Sequence, residues 1–249
     1  MTALPSSVLE TLAQYDSPTV CNVIELCNCR PRNVGYLNHR IRAVYPHLPP
    51  MVGYAVTAAF RSSTAPAAGE RSIGLLELVA SWEAVPAPRV LVIQDLDDPP
   101  DGAVYGEIVA TVARGFGCAG LVTNGYGRDV PQVAPLKFPC FAAGLCVSHS
   151  YCRLVSAGGP VDVGGVTIRP GDLLHGDANG VTTIPLEVAP RVADGCGDLV
   201  QAENVLIEAA RKGPLTVEDM RPVMAEFMRR HDELARKLSG QAADRRMGV

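Results

Sequence analysis

The sequence predicts an α/β protein, and three observations carry that prediction. Strand-like and helix-spaced apolar runs alternate from residue 51 to 123. The 249 residues are 47% hydrophobic and 19% charged, enough to bury a sizeable core as one large domain or one domain with an appendage. A β-rich stretch then follows between residues 138 and 185, where short alternating runs are separated by Gly and Pro.

Residues 7–26 carry helical spacing in two pieces, because Ser17-Pro18 supplies an N-cap and a first-turn proline for residues 19–26. Residues 27–50, rich in Asn, Arg and Pro, predict irregular structure. Residues 51–60 alternate as a strand, and the apolar spacing of residues 73–82 predicts a helix packed on it. A strand over 89–94 leads through the acidic, Pro-rich loop 95–101 to a helix over 107–115, whose apolar face is Ile108, Val109, Val112 and Ala113. Residues 119–123 predict a short buried strand and 138–143 another. Gly164-Gly165 between alternating runs marks a hairpin over 161–168, and further β structure is expected through residue 185. Beyond residue 186 the character turns helical, around 198–212 and 217–238, split by Gly213-Pro214. The expected organisation is an α/β domain over 1–186, a helical extension over 187–240 and a frayed tail over 241–249.

The helix over 107–115 and the strand over 119–123 have similar lengths, about 15 Å at the usual rises per residue. The strand's carboxyl end therefore returns beside the helix's amino end. This brings Gly106-Glu107 next to Arg128-Asp129 in a crevice shared with the end of the 89–94 strand and its acidic loop, the usual ligand position in an open α/β sheet. The free amides of Ile108 and Val109 at that helix start favour an anion. A glycine-rich turn merely solvated by Arg128 and Asp129 is the plain alternative.

Composition excludes several function classes. A net charge of −4 with no long basic run gives no electrostatic case for a nucleic-acid surface. No apolar run approaches the roughly 18 to 20 residues that cross a bilayer, and the amino terminus lacks a signal-peptide pattern, so a soluble, cytoplasmic protein is expected. The eight cysteines then read as reduced thiols, and Cys27-Asn-Cys29 lacks a second close pair to complete a zinc site.

Taken together in order, several segments resemble one known family, the RraA-like proteins. They are Gly53-Tyr-Ala-Val-Thr57, Arg89-Val-Leu-Val-Ile93, Gly106-Glu107, Gly117-Cys-Ala-Gly120, Gly125-Tyr-Gly-Arg128-Asp129, Gly164-Gly165-Val, Pro170-Gly-Asp172 and Gly176-Asp177-Ala-Asn-Gly180. The family includes aldolases acting on 4-hydroxy-4-methyl-2-oxoglutarate or 4-carboxy-4-hydroxy-2-oxoadipate, and non-catalytic regulators of a ribonuclease. The resemblance implies a swivelling β/β/α fold with a C-terminal helical extension, assembled as homotrimers or homohexamers with active sites at subunit boundaries. In the aldolase branch an acidic residue, twenty intervening positions and Arg-Asp mark the site; here these are Glu107, Arg128 and Asp129. The regulators tend to lack the aspartate. Three departures stand out: Asn124 in place of a common aspartate, Cys21-Asn22-Val23 in place of Asp-Ala, and the Asp95 to Pro100 loop in place of a glycine-richer one.

The implied reaction cleaves a carbon–carbon bond and leaves a pyruvate enolate, whose charge needs a lysine imine or a divalent metal. Lys137, Lys212 and Lys237 sit where none is an obvious desolvated imine former, so Mg²⁺ or Mn²⁺ is expected, held by Asp129 with waters and the substrate's own oxygens. Arg128 is expected to bind the substrate carboxylate or enolate oxygen. Glu107 is assigned to orienting the metal's water shell or relaying protons, and Gly106, Ile108 and Val109 to receiving the pyruvyl carboxylate. The resemblance further suggests a glutamate from a neighbouring subunit's helix after residue 186, with Glu203 chosen and Glu208 in reserve, against the plain reading of an exposed helix glutamate. His149 and His175 compete as substrate contacts or hydrogen-bonded structural residues. Asp172 and Asp177 read as turn formers, and Trp82 as core. The expected reaction is release of pyruvate from a small anionic 4-hydroxy-2-oxoacid, with oxaloacetate decarboxylation as a side activity; a partner-binding, non-catalytic regulator is the runner-up.

Overall fold

The computed structural model describes residues 2–239; the expected tail over 241–249 lies outside the described residues. Two compact units are present, one formed by residues 2–17 and 33–186, the other by 18–32 and 187–239.

In the first unit, α1 (Ser6–Leu12) leads toward α2 (Ser17–Leu26), and β1 (Arg42–Ala43) precedes the long strand β2 (Met51–Arg61). Then come α3 (Leu75–Ala80), β3 (Arg89–Asp95), β4 (Ala103–Tyr105) and α4 (Glu107–Gly115). They are followed by β5 (Cys118–Thr123), β6 (Tyr126–Gly127), the short α5 (Val130–Val133), β7 (Cys140–Ala142) and β8 (Gly144–Leu145). The chain continues through β9 (Arg153–Ala157), β10 (Val161–Val163), β11 (Val166–Ile168), β12 (Leu173–Asp177) and β13 (Gly180–Ile184).

The main sheet runs in the order β1-β7-β5-β3-β2-β12-β13, with β9 also pairing β2. Its centre, β2-β3-β5-β7, is parallel, and β12 and β13 add antiparallel strands at one side. Central parallel strands are covered on both faces, which accounts for the burial of every residue from 51 to 60 in the expected strand. One face packs Ala55, Val90, Val92, Val122 and Leu174 against Val161, Val163 and Ile168 of the β10-β11 hairpin. On the helical side α4 buries Ala110 and Ala113 and packs on β5. The result is the sheet, hairpin and helix layering that the sequence led us to expect. Gly164 and Gly165, at φ 59° and 84°, make the hairpin turn with the left-handed backbone that a tight two-residue connection requires.

The second unit holds α2, α6 (Ala189–Arg211) and α7 (Val217–Ser239). The helix α6 starts nine residues before the expected 198, despite Gly195 and Gly197. Pro190 sits in its first turn, where a missing N–H costs nothing. A Cβ on Gly195 would lie 2.9 Å from Val23 Cγ1 and 3.0 Å from Leu238 Cδ1, so this glycine is what lets three helices approach closely. No helix among the described residues is long and apolar enough to cross a membrane.

Candidate active site

A small parallel sheet, β4-β6-β8, sits apart from the main one and positions the site. Its β4 and β6 strands register Tyr105 opposite Gly127, and the Arg128 amide donates to the Tyr105 carbonyl at 3.1 Å. A Cβ on Gly127 would strike the Tyr105 ring, so the glycine is the condition for this pairing. Burial holds the Tyr105 phenol far above its ordinary value, with nearby Cys140 adding to the shift, and the ring acts as a neutral spacer. Residues 105–107 and 127–129 are thereby locked side by side.

The contacts that follow are local and specific. Gly106 precedes the first residue of α4 and offers no side-chain cap. Asp129 supplies the missing acceptor from across the gap: its Oδ2 takes the Glu107 N–H at 3.0 Å, and Arg128 Nε stands 3.7 Å from the same oxygen. The negative charge sits at the positive end of the helix dipole. Asp129 itself adopts the left-handed conformation, φ 58°, and its carbonyl accepts the amides of Gln132 and Val133 at 3.0 and 2.9 Å as α5 begins. A non-glycine residue held there carries strain of order 1 kcal/mol, which this double use of its backbone and side chain offsets. A Cβ on Gly106 would collide with Asp129 Oδ2 and lie 3.1 Å from Arg128 Cγ.

Helix geometry leaves the amides of Ile108 and Val109 without intrahelical acceptors. The Arg128 side chain is 35% exposed, and its terminal nitrogens have no hydrogen-bond partner among the described residues. Gly106, Glu107, Ile108, Val109, Arg128 and Asp129 all line one cavity of about 490 Å³. A free guanidinium fork, two free amides and a carboxylate thus face one space, an arrangement suited to an anionic ligand.

The crevice differs from expectation in one respect. The acidic loop after β3 and Asn124 line a separate depression of about 780 Å³ that shares none of the lining residues named above. Though larger, it offers less chemistry. Asp97 Oδ2 is committed to the Ser62 and Ser63 amides at 2.7 and 2.9 Å, and Asn124 clamps Asp95, accepting its N–H at 2.7 Å and donating to its carbonyl at 2.9 Å. An aspartate at 124 would lack that donor, so the departure at this position ties the ends of β3 and β5 together.

Other candidates separate clearly. His175 is fully buried, with Nδ1 2.9 Å from Ser17 Oγ and Nε2 3.1 Å from the Leu12 carbonyl; burial lowers its proton affinity, and its role is structural. Asp177 receives the Ser17 and Asn179 amides and Asp172 that of Arg169, as turn formers do. Trp82 is core, edge-on to Phe116. His149 lines the cavity with Nδ1 2.8 Å from the Ser150 carbonyl. Glu203 is half-buried on α6 in the second unit, and Glu208 is exposed there and paired with Arg211 at 2.7 Å. None of the eight cysteines is in a disulfide. Among the described residues no cluster of three or more His, Cys, Asp or Glu side chains could enclose a metal, which leaves Asp129 as the carboxylate available in the cavity beside Glu107. Sequence reasoning missed the rest of the wall, including Ile73, Leu75, Cys152, Arg153 and Leu154. They come from segments far from the motif, and no periodicity marked β9.

Comparison with known proteins adds the following. Residues 19–183 match the model of the RraA-like family (Aldolase/RraA). A Halalkalibacterium halodurans protein named "Putative 4-hydroxy-4-methyl-2-oxoglutarate aldolase" is 35% identical over 139 residues, 55% of this chain and 59% of that protein. The chain spans less than two thirds of the length of the curated relatives it matches. Among solved structures, an uncharacterised protein from Pseudomonas syringae pv. tomato aligns with a TM-score of 0.68 at 24% identity, covering 88% of this chain and 99% of that one, a likeness of fold. Streptomyces coelicolor RraAS2, described as an unusual member of the RNase ES inhibitor RraA protein family, aligns at 0.66 with 26% identity over 81% of this chain and 97% of its own.

Proposed function

The chain belongs to the RraA-like family, and from that premise we propose that it is a divalent-metal-dependent lyase that cleaves a 4-hydroxy-2-oxoacid to pyruvate. The observation that carries this reading is the convergence of the unbonded Arg128 fork, the free amides at the start of α4 and the Asp129 carboxylate on one cavity. No lysine lines that cavity, which argues against an imine as the electron sink.

The donor set fits a hard ion such as Mg²⁺ or Mn²⁺. Asp129 is 37% exposed, its Oδ2 caps α4, and its Oδ1 has no partner among the described residues. Such ions keep several waters and need few protein ligands. Bound at Asp129, the ion would supply Lewis-acid stabilisation for the negative charge of the enolate. The chain's own groups do the remaining work. The Ile108 and Val109 amides receive the carboxylate of the 2-oxoacid, and the Arg128 fork holds the oxygen on which charge develops. Glu107, exposed at the cavity edge, is placed to exchange protons through water, and Glu203 is assigned the same duty toward a neighbouring subunit in a homotrimer or homohexamer. Oxaloacetate decarboxylation passes through the same enolate and is the proposed side activity. The setting we propose is the cytoplasm.

The likeness to RraAS2 favours a second reading, a non-catalytic regulator that binds a partner protein such as a ribonuclease. The two readings separate in a coupled pyruvate-release assay over a panel of 4-hydroxy-2-oxoacids and oxaloacetate, run after chelation with and without added Mg²⁺. Metal-restored turnover supports the lyase; absence of turnover across the panel overturns it.

A further inference from the structure

The segment between β2 and α3, residues 62–74, crosses the surface without helix or strand apart from a single bridge at Ile73, and residues 63–72 are all exposed. Its far end nevertheless delivers Ser72, Ile73 and, at the start of α3, Leu75 to the lining of the cavity that holds Arg128. Fixing a loop of this length, rich in Ser, Ala, Pro and Gly, costs much conformational freedom. Something must hold it.

The holding group is Arg153 of β9. Its side chain is 7% exposed; Nε donates to Glu70 Oε1 at 2.9 Å and Nη1 to the Thr64 carbonyl at 2.5 Å. Glu70 Oε2 accepts the Ala67 amide at 2.9 Å, so both carboxylate oxygens are engaged. The segment is also tied at its two ends, where the Ser63 amide donates to Asp97 and the Ile73 amide to the Leu154 carbonyl. Between those ends, the hydrogen bonds that join it to the strands come from Arg153 alone among the described residues. Arg153 and Leu154 are consecutive on β9 and both line the cavity. Every one of these partners lies in the same chain, so the clasp is complete whatever a neighbouring subunit adds to the site.

Resting on the reading of this cavity as the 2-oxoacid site, we propose that Glu70 and Arg153 are positioning residues: their ion pair clasps the 64–70 segment to β9, fixes the Ser72 and Ile73 wall and sets how tightly the ligand is held. A buried guanidinium that loses its carboxylate is left uncompensated, which favours the open loop. A ligand that fills the cavity meets Ser72 and Ile73 in the closed loop only, so its apparent affinity falls in proportion to the closed fraction. The bond cleavage itself is left to the groups around Arg128.

Glu70 does not line the cavity, so Glu70→Gln alters the clasp without altering the wall. Glutamine offers one acceptor oxygen where the carboxylate supplies two, and no charge. Arg71→Gln, which removes an exposed pair with Glu77 on the same segment, is the control. The test measures amide hydrogen exchange over residues 64–73 and calorimetric binding of oxalate, a planar dianion shaped like pyruvate enolate, on the full chain with Mg²⁺. In the original protein oxalate should slow that exchange. Glu70→Gln should speed it about tenfold and weaken oxalate about tenfold, with Arg71→Gln unchanged. Where the pyruvate assay shows turnover, Glu70→Gln should raise KM about tenfold and hold kcat within about threefold. Exchange across β3 and β5 should stay as in the original protein; a rise there too would make the pair merely structural and overturn the proposal. Unchanged exchange over 64–73, faster exchange with oxalate affinity intact, a kcat loss at unchanged KM, or no oxalate binding by the original protein each overturns it as well. Absence of turnover across the substrate panel removes the lyase reading alone, and the clasp then stands or falls on exchange and oxalate.

Discussion

Asp129 Oδ2 accepts the backbone N–H of Glu107 at 3.0 Å, so a residue twenty-two positions downstream caps the helix that opens the site. The proposed metal-holding carboxylate is therefore also a structural acceptor, and the two duties can be separated. Asn tolerates the left-handed backbone at φ 58° and keeps an oxygen for the cap, but it carries no charge. Asp129→Asn is expected to hold thermal stability within about 1 kcal/mol while lowering pyruvate release by at least about a hundredfold. Thermal melts beside the coupled assay check this; unchanged turnover in the variant would remove Asp129 from the proposed chemistry.

Gly106 makes a second, steric prediction. A methyl group here meets Asp129 Oδ2 and the Arg128 side chain, neither of which can retreat without breaking the cap or rotating the guanidinium. Gly106→Ala should cost about 1–3 kcal/mol of stability and a larger share of activity, because the displaced atoms are those assigned to the substrate. Urea unfolding and the pyruvate assay on the same preparation give both numbers.

Much of this geometry was legible in the sequence, for identifiable reasons. The helix 107–115 coincides with its expected bounds, but it buries Ala110 and Ala113 and not the expected face led by Ile108, which is 73% exposed beside the cavity, while Gly164-Gly165 announced a turn that only such residues fill easily. The strands β4, β6 and β8, of three, two and two residues, are too short to carry any periodicity, and it is they that register Tyr105 against Gly127. Likewise Gly195 reads locally as a helix breaker, and only the approach of Val23 and Leu238 explains it within α6. The apolar wall of the cavity was invisible for a different reason: Ile73 and Leu154 meet across eighty-one positions through one backbone bridge.

Arg128 offers a fork whose terminal nitrogens are unbonded among the described residues, beside a carboxylate 3.7 Å from Nε. Lysine keeps the charge but loses the planar pair of donors. Arg128→Lys and Arg128→Ala should both lower kcat/KM by about 10²–10³, with lysine recovering little of the loss if two donors hold the developing oxyanion. Recovery by lysine to near the original rate would mean that only a point charge is needed there.

Asp95 supports a prediction about pH that is independent of the site chemistry. It is 2% exposed at the end of β3, and its Oδ2 has no hydrogen-bond partner among the described residues. Burial pushes its carboxyl from 3.8 up to about 6; the amide of Asp97 opposes the shift, while the charges of Asp97 and Asp101 add to it. The folded chain thus holds this proton more tightly than the unfolded chain. Its contribution to stability is full below about pH 3.8 and is lost as pH rises through about 6, above which the loss is constant at about 3 kcal/mol. Asp95→Asn removes the titration while retaining an oxygen for the Asp97 amide. Between pH 7 and 4.5 the original protein should therefore gain about 2 kcal/mol relative to the variant in urea unfolding, even though carboxylates such as Glu70, held low by the Ala67 amide and Arg153, pull both proteins the other way as pH falls. Parallel stability curves for the two proteins would show that Asp95 is ionised in the fold, with its charge met by a group other than those around it here.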